Sequence, residues 1–119
     1  MTTIDYERLY INGAWTAPES AKRIAVHSPT TEGLIGSVPE GTERDIDNAV
    51  AAARRAFDDP TGWAAWAPAR RGEVLERFAA ALEARGAETA RRVTIQNGMP
   101  IWLAMNFEAG FPAMLVRYY

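Results

Sequence analysis

The chain has 119 residues, of which 48% are hydrophobic and 24% charged, and its formal net charge is −2. This length and composition are typical of one globular domain, long enough to bury about two thirds of its unfolded surface. The interleaved acidic and basic residues exclude the one-signed patch of a nucleic-acid binder, and the lack of cysteine excludes disulfides, thiolate metal sites and a cysteine nucleophile.

The N-terminus and the apolar runs of the chain bear on its location. The first ten residues, MTTIDYERLY, lack the basic-then-apolar arrangement of a signal peptide. No apolar run approaches the roughly 18 residues that a membrane-spanning helix needs. We therefore expect a cytoplasmic protein with no membrane partner.

Two pairs of short strands are predicted in residues 1–40. In LYINGAWT, residues 9–16, Asn12-Gly13 favours the two positive-φ positions of a type I′ hairpin turn, and apolar residues flank it. A second pair is predicted at Ile24–His27 and Leu34–Val38, joined by a loop that contains Ser28-Pro29 and Glu32-Gly33. Strands this short suit an edge or a cover better than a self-sufficient sheet.

The helical part is predicted over residues 41–119, and its first helix begins after Thr42. Thr42 is a good N-cap, and Asp45 follows three residues later as a carboxylate variant of the capping box. Four apolar residues recur at steps of four, three and four, which predicts one buried stripe: Ile46, Val50, Ala53 and Phe57. The segment from Asp58 to Trp63 breaks the pattern, and Trp63 and Trp66 are expected to pack in a core.

Two further helices are predicted between Pro68 and Gly98. Pro68 is favoured in a first helical turn, and Gly86 is expected to end that helix as its C′ residue. The apolar face of the helix is predicted from five residues: Val74, Leu75, Phe78, Ala79 and Leu82. A shorter helix from about Ala87 to Gln96 is predicted to end at Asn97-Gly98.

The last segment opens at Pro100 and is apolar over much of its length. Gly110 and Pro112 are expected to interrupt it. After Pro112, residues Met114, Leu115 and Tyr118 fall on one face of a helix, and no capping residue follows them. The sequence therefore predicts an amphipathic helix that is still in progress at Tyr119.

The residues capable of nucleophilic or acid–base chemistry form no recognisable constellation. Ser20, Ser28 and Ser37 lie outside any G-x-S-x-G motif, and Lys22 lies in a polar loop. The single histidine, His27, is adjacent to Ser28, but neighbours on a strand point to opposite faces. No reaction is predicted from these residues.

Phosphate-binding and metal-binding patterns are equally weak. Gly33 and Gly36 give G-x-x-G without the third glycine or the following helix of a dinucleotide loop. Gly41 precedes a helix N-terminus, but the first turn of that helix is acidic and repels a phosphate. The acidic pairs, Asp58 with Asp59 and Glu73 with Glu76, are explained by solvated helix ends and faces. We predict no catalytic, cofactor-binding or metal-binding residue in this chain.

The order of these segments carries more information than any one of them. From about Leu9 to Tyr119, the chain resembles the N-terminal region of the NAD(P)-dependent aldehyde dehydrogenase family. The resemblance rests on four stretches in this order: LYINGAWT, VHSPTTEGLIGSVPEGTERDIDNAVAAARRAF, ARRGEVLERFAAALEARGAETARRVTIQNGMP and the closing RYY.

The resemblance implies an α/β fold and an incomplete domain. Residues 1–119 would be the first portion of the cofactor-binding domain, with β-hairpins followed by three to four α-helices that cover the sheet of that domain. In the family, the cofactor contacts, the glycine-containing loop, the base glutamate and the cysteine nucleophile all come later in the chain. The cofactor of the family is NAD or NADP, and none is expected in this chain.

The family's chemistry also shows what the chain lacks. A thiolate attacks the aldehyde, hydride passes to the nicotinamide, and a glutamate-activated water releases the acid. This chain has no cysteine, and Glu83, Glu88 and Glu108 match helix positions of the family rather than its catalytic motif. We therefore expect it to be inactive alone.

One minor site of the family can be partly placed on the sequence. Some members bind a monovalent cation with backbone oxygens at positions matching Val26 and His27 and with an acidic side chain at the position of Gln96. Gln96 removes the formal negative charge that attracts a hard cation. A cation site in the isolated chain is therefore not expected.

Three functions of different classes follow. The chain is an inert N-terminal fragment of an aldehyde dehydrogenase, or a module that docks in trans onto a separate chain carrying the rest of the enzyme, or a free-standing helical interaction domain. The fragment interpretation predicts an uncovered apolar face that binds the remainder of an aldehyde dehydrogenase or self-associates. That face consists of five residues: Leu103, Phe107, Phe111, Leu115 and Tyr118.

Overall fold

The computed structural model describes residues 3–119 as a mixed α/β chain with two compact units. The first unit comprises the described residues up to His27 together with Leu34–Trp66, and the second comprises Ser28–Gly33 together with Ala67–Tyr119. The five strands are β1 Ile4–Asp5, β2 Leu9–Ile11, β3 Ala14–Thr16, β4 Arg23–His27 and β5 Leu34–Pro39. The helices are α1 Glu43–Asp58, α2 Pro68–Ala84, α3 Gly86–Asn97, α4 Ile101–Leu103 and α5 Phe111–Tyr118, with a 3₁₀ turn at Trp63–Ala65 and a π-helix at Ala104–Gly110.

The predicted hairpin is confirmed as strands β2 and β3. Asn12 and Gly13 have φ values of 55° and 75°, the two left-handed positions of a type I′ turn. Tyr10 is opposite Trp15 in the register, and their rings meet edge to face with centroids 5.2 Å apart. The turn residues therefore set the strand register that pairs these aromatic side chains.

The second predicted strand pair is also confirmed, and a third strand joins it. Strands β4 and β5 are antiparallel, with an irregularity in register at Val26/His27, and β1 pairs in parallel with β5. Strand β1 is not predicted from the sequence, because a two-residue strand is too short for a periodic pattern. A Cβ built on Gly36 of β5 would lie 1.9 Å from the Ile4 carbonyl oxygen, so only glycine permits this approach of β1.

A guanidinium group holds β1 against β5. Arg23 Nη2 donates a hydrogen bond of 2.7 Å to the Tyr6 carbonyl, and Arg23 Nε donates one of 3.0 Å to Ser37 Oγ. The Tyr6 amide in turn donates to the Ser37 carbonyl at 3.0 Å. Ser37 also donates to Asp5, and this hydrogen bond lowers the pKa of that carboxyl.

Helix α1 begins as predicted, but its apolar stripe is exposed. Thr42 and Asp45 form a reciprocal capping box. Ile46, Val50 and Phe57 are 59%, 62% and 68% exposed, so the prediction of a buried stripe is wrong. The face that is buried instead includes Asp45 and Ala52, because the strands of this unit are short and reach only one side of the helix.

The tryptophans that follow α1 form a pair rather than a core. Their ring centroids are 5.7 Å apart, and Trp66 Nε1 donates to the Thr61 carbonyl at 2.9 Å. Trp63 is exposed, which corrects the expectation that it packs in a core. Each ring covers part of the other because few residues of this unit surround the turn.

Helices α2 and α3 start and end near the predicted positions, with two corrections. Pro68 is in the first turn of α2, and Gly98 caps α3 with φ of 78°. Gly86 directly follows Arg85, the C-cap of α2, as predicted, but it has no left-handed φ and is also the first residue of α3. A Cβ there would lie 3.4 Å from Ala109 Cβ. On α2, Ala79 is buried as predicted, whereas Phe78 is exposed because no described side chain covers it.

The run from Ile101 to Tyr118 is helical throughout, so the predicted interruption at Gly110 and Pro112 is wrong. The hydrogen-bond pattern changes from π to α at this point, and Pro112 falls in the first turn of α5. Proline has no amide hydrogen to donate, and this is tolerated best in the first turn of a helix, where the hydrogen-bond pattern changes. The run places its small residues inward: Ala104, Ala109 and Ala113.

The core of the second unit is small. Ala90, Ala104 and Ala109 form a buried cluster, and Val93 and Met99 pack against it. Among residues 3–119, no large side chain is fully buried. The helices of this unit are therefore held together mainly by close contact between small residues, and their larger apolar side chains remain at the surface.

Candidate functional site

The candidate nucleophiles are engaged in local structure. Ser28 is buried, and its Oγ accepts a hydrogen bond from the Thr31 amide at 3.4 Å within the turn that ends at Gly33. Ser20 Oγ accepts from the Lys22 amide at 3.1 Å. His27 is exposed at the end of β4. Ser37 donates to the Asp5 carboxylate, but this hydrogen bond lowers the pKa of Asp5, which makes it a poor general base.

Arginines bind the helical glutamates Glu76, Glu83 and Glu88. Arg117 of α5 donates from Nη2 to Glu83 at 2.8 Å and from Nε to Glu76 at 3.0 Å, and both partners are on α2. The hydrogen bond from Arg117 lowers the pKa of Glu83, and Arg85 lowers that of Glu88 in the same way. A general base works best with a pKa near the operating pH, so these carboxylates are poorly suited to that role.

The positions considered for phosphate binding are already filled. Gly36 is covered by β1, as described above. At the N-terminus of α1, the Thr42 amide donates to Asp45 Oδ2 at 2.8 Å, and the Asp45 amide donates to Thr42 Oγ1 at 3.3 Å. The hydrogen bonds from Thr42 lower the pKa of Asp45, which therefore holds a negative charge where a phosphate would have to bind. These residues do not fit the pyrophosphate of NAD.

The residues that resemble the family's cation site belong to different units. Val26 pairs with Gly36 in the sheet, whereas Gln96 is exposed near the end of α3. Residues 3–119 contain no group of three or more His, Cys, Asp and Glu placed to hold a metal ion.

Asp45 has a second role that is not predicted from the sequence. Its Oδ1 accepts from the Glu19 amide at 3.2 Å, so one carboxylate both caps α1 and anchors the loop that follows β3. Asp45 is only 4% exposed. Its residue type and its spacing from Thr42 predicted the helix cap, but they did not predict the contact with the loop. An open cleft of about 410 Å³ lies beside it, lined by residues of β2, β3 and α1.

The feature best suited to a function is an uncovered helix face. We call it the 103–118 stripe, and it consists of Leu103, Phe107, Phe111, Met114, Leu115 and Tyr118. It contains the five-residue face predicted above: four of the five are exposed, as expected, and Leu103 is half-buried. Because Arg117 is held by two glutamates of α2, its charge is directed away from the stripe. The stripe can bind another apolar surface but can perform no bond chemistry.

Comparison with known proteins identifies the family. The profile described as "Aldehyde dehydrogenase family" matches residues 15–119. The chain belongs to the aldehyde dehydrogenase family. The chain is 44% identical over 117 residues to a geranial dehydrogenase of Castellaniella defragrans, covering 98% of this chain and 24% of the relative. It is 40% identical over 106 residues to a 3-succinoylsemialdehyde-pyridine dehydrogenase of a Pseudomonas species, covering 88% and 22%.

Solved structures place the fold in the same family. An NAD-dependent aldehyde dehydrogenase from Sinorhizobium meliloti superposes with a TM-score of 0.89 at 33% identity, over 98% of this chain and 23% of that one. A Mycobacterium tuberculosis aldehyde dehydrogenase complexed with NAD⁺ gives 0.90 at 29% identity, over 98% and 24%. The chain therefore spans about a quarter of the length of the relatives it matches.

The structure also bears on membrane insertion. No helix in residues 3–119 is long and apolar enough to cross a membrane.

Proposed function

We propose that residues 1–119 form an N-terminal scaffold of an NAD(P)-dependent aldehyde dehydrogenase and catalyse no oxidation by themselves. The observation that carries the proposal is the absence of cysteine from a chain that matches its family over residues 15–119. A thiolate is the nucleophile that the family resemblance implies, and this chain has none to supply.

The contacts of the helical carboxylates and of the α1 N-terminus support the same proposal. Glu83 and Glu88 are tied to arginines, and the N-terminus of α1 is closed by its own capping box. The chain therefore contributes helices and strands rather than the cofactor site or the base. In a complete enzyme, NAD or NADP would accept the hydride, and the residues that bind this cofactor would lie outside residues 1–119.

The first experiment measures aldehyde-dependent reduction of NAD⁺ and NADP⁺ by the purified chain. Geranial is the first aldehyde to test, because the relative with 44% identity is named a geranial dehydrogenase. We expect no turnover and, by calorimetry, no binding of either nucleotide. Reproducible turnover by a preparation free of host enzymes would disprove the proposal.

A second candidate function is docking in trans, which the exposed 103–118 stripe favours. In this alternative the chain completes an enzyme whose cofactor and thiol parts are a separate polypeptide. The test is complementation: the relative's geranial dehydrogenase is expressed without the segment that this chain matches, together with this chain. The relative's own segment supplied in trans is the positive control. Activity that returns with the control but not with this chain contradicts trans docking and leaves the scaffold proposal intact.

Cytoplasmic location remains part of the proposal. The chain has no cysteine and therefore no disulfide, so nothing in its composition calls for an oxidising compartment. Fractionation of the native host with an antibody against the chain would test it.

A further inference from the structure

The sequence contains two Asn-Gly steps, and both fall in turns. Asn12-Gly13 forms the type I′ turn between β2 and β3, and Asn97-Gly98 ends α3. Glycine has no Cβ beside its amide nitrogen, so this nitrogen approaches the preceding side chain more easily than the nitrogen of a residue that has one. An Asn-Gly step is therefore a place where an asparagine amide is open to attack by its own main chain.

Hydrogen bonds restrain the Asn97-Gly98 step. The Gly98 amide donates to the Thr94 carbonyl at 3.0 Å, and Asn97 Oδ1 accepts from the Met99 amide at 2.9 Å. A Cβ on Gly98 would lie 3.4 Å from Pro29 Cγ, so the loop after β4 also packs against this glycine. Both the nitrogen that would attack and the amide that would be attacked are thus held in place.

The Asn12-Gly13 step has no such restraint. Within residues 3–119, no hydrogen bond holds the side chain of Asn12 or the amide of Gly13. Apart from the adjacent residues, no atom lies within 4 Å of a Cβ built on Gly13. Exposure does not separate the two steps, because Asn12 and Asn97 are both exposed. The difference lies in the hydrogen bonds that each step makes within the chain.

We propose that Asn12 is a self-modification site, at which the side-chain amide is converted to aspartate and isoaspartate while Asn97 is preserved. The Gly13 nitrogen bonds to Cγ of Asn12, the Cγ–Nδ2 bond breaks, and ammonia leaves with the proton of the Gly13 amide, which gives a succinimide. Water then adds to one of the two carbonyl carbons of that ring and breaks its bond to nitrogen. The water supplies the hydroxyl of the new carboxyl and the proton that returns to the nitrogen. Opening at Cγ leaves an aspartate, and opening at the main-chain carbonyl carbon leaves an isoaspartate.

The two products differ in their effect on the hairpin. An aspartate is accepted at the first left-handed position of a type I′ turn, so β2 and β3 keep their register. An isoaspartate adds one carbon to the main chain between the strands. A two-residue turn then no longer closes with Tyr10 opposite Trp15, because the turn sets that register. The reaction therefore gives one form with an intact hairpin and one with a disrupted hairpin.

The test is peptide mass spectrometry after incubation of the full chain in neutral buffer. Cleavage after lysine and arginine places the two steps in separate peptides, residues 9–22 and 93–117. We expect Asn12 to lose its amide about tenfold or more faster than Asn97, because the Asn97 step must first break two hydrogen bonds. The matched control is the same chain unfolded in guanidinium chloride, where this restraint is gone and the two steps should react at similar rates.

The outcomes that overturn the proposal concern the folded chain. They are equal rates at Asn12 and Asn97, a faster reaction at Asn97, or no reaction at Asn12 after the unfolded chain has reacted. None of them bears on the scaffold proposal, because the reaction involves neither an aldehyde nor a nicotinamide cofactor.

A second measurement tests the effect on the hairpin. A methyltransferase specific for isoaspartate identifies the isoaspartyl form, in which the amides of β2 and β3 should exchange hydrogen faster while those of β4 and β5 are unchanged. Asn12→Asp is the matched control, which should keep the protection of the hairpin and accept no methyl group at position 12. An isoaspartyl form with unchanged protection in β2 and β3 would contradict the structural consequence.

Discussion

Gly36 offers the sharpest test of how the first unit is built. A Cβ at this position would lie 1.9 Å from the Ile4 carbonyl oxygen and 2.9 Å from the Ile4 carbonyl carbon. These atoms belong to the backbone of β1, so no side-chain rotation relieves the clash. In Gly36→Ala, strand β1 must move away by about 1 Å or more, because non-bonded contacts of this kind need roughly 3 Å or longer.

The displacement has a definable energetic cost. The Tyr6 amide is 3.0 Å from the Ser37 carbonyl, and a shift of that size takes the pair outside hydrogen-bond distance. Losing two or three main-chain bonds of β1, at about 0.5–1.5 kcal/mol each, predicts a decrease of about 1–4.5 kcal/mol in the free energy of unfolding.

The assay is urea unfolding combined with amide hydrogen exchange at Tyr6. Gly41→Ala is the matched control, because nothing lies within 4 Å of a Cβ built on Gly41. The control should be neutral, or more stable by about 0.4–1 kcal/mol through reduced freedom of the unfolded chain. Equal stability of the two variants, with Tyr6 still protected, would refute the argument that β1 requires glycine at position 36.

Three further predictions concern the α1 cap and the helical core. Thr42→Ala removes the side chain that caps α1 and should destabilise the chain by about 1 kcal/mol in urea unfolding, whereas Thr42→Ser should restore most of the loss. Because hydrogen bonds from Thr42 hold the pKa of Asp45 below its ordinary value of 3.8, the stabilisation by Asp45 is complete above about pH 4 and is lost as the pH falls through the lower folded-state pKa. Thermal unfolding at a series of pH values should therefore decline less steeply below pH 4 in Asp45→Asn, and parallel profiles would contradict this. Ala109→Leu should cost about 1–3 kcal/mol, because a Cβ on Gly86 would already lie 3.4 Å from Ala109 Cβ, and unchanged stability would show that the helices can separate freely.

The local signals in the sequence predicted local structure well. Asn12-Gly13, the Thr42–Asp45 capping box, Pro68 and Gly98 each determine the backbone within a few residues, and the structure has the corresponding turn, caps and helix start. Such signals depend on the φ preference of one residue or on hydrogen bonds between near neighbours. They need no knowledge of the rest of the fold.

Burial was predicted less well, because it depends on what surrounds an element. Periodicity predicted the apolar stripe of α1, but Val50 and Phe57 are exposed because no other helix or strand in residues 3–119 covers them. The Arg54 guanidinium that lies 5.1 Å from the centroid of the Phe57 ring belongs to the same helix. Gly86 shows the reverse case: its residue type suggested a cap, whereas its position is explained by contact with Ala109, more than twenty residues away. The sequence predicted the uncovered apolar face of the candidate site. It gave no signal for the ion pairs that Arg117 forms with Glu76 and Glu83 of α2.

The π-helix at Ala104–Gly110 has a consequence for how the length of this segment can vary. In an α-helix, which advances about 100° per residue, Ala104 and Ala109 would point roughly 140° apart, yet both are buried against the same neighbours. The i→i+5 turn contains one residue more than an α-helical turn, so the helix beyond it keeps its orientation. Ala113, four residues after Ala109, is therefore buried on the same side. Deletion of a single residue within this turn would therefore leave the contacts on both sides in register, whereas the same deletion in α2 would rotate the rest of that helix by about 100°.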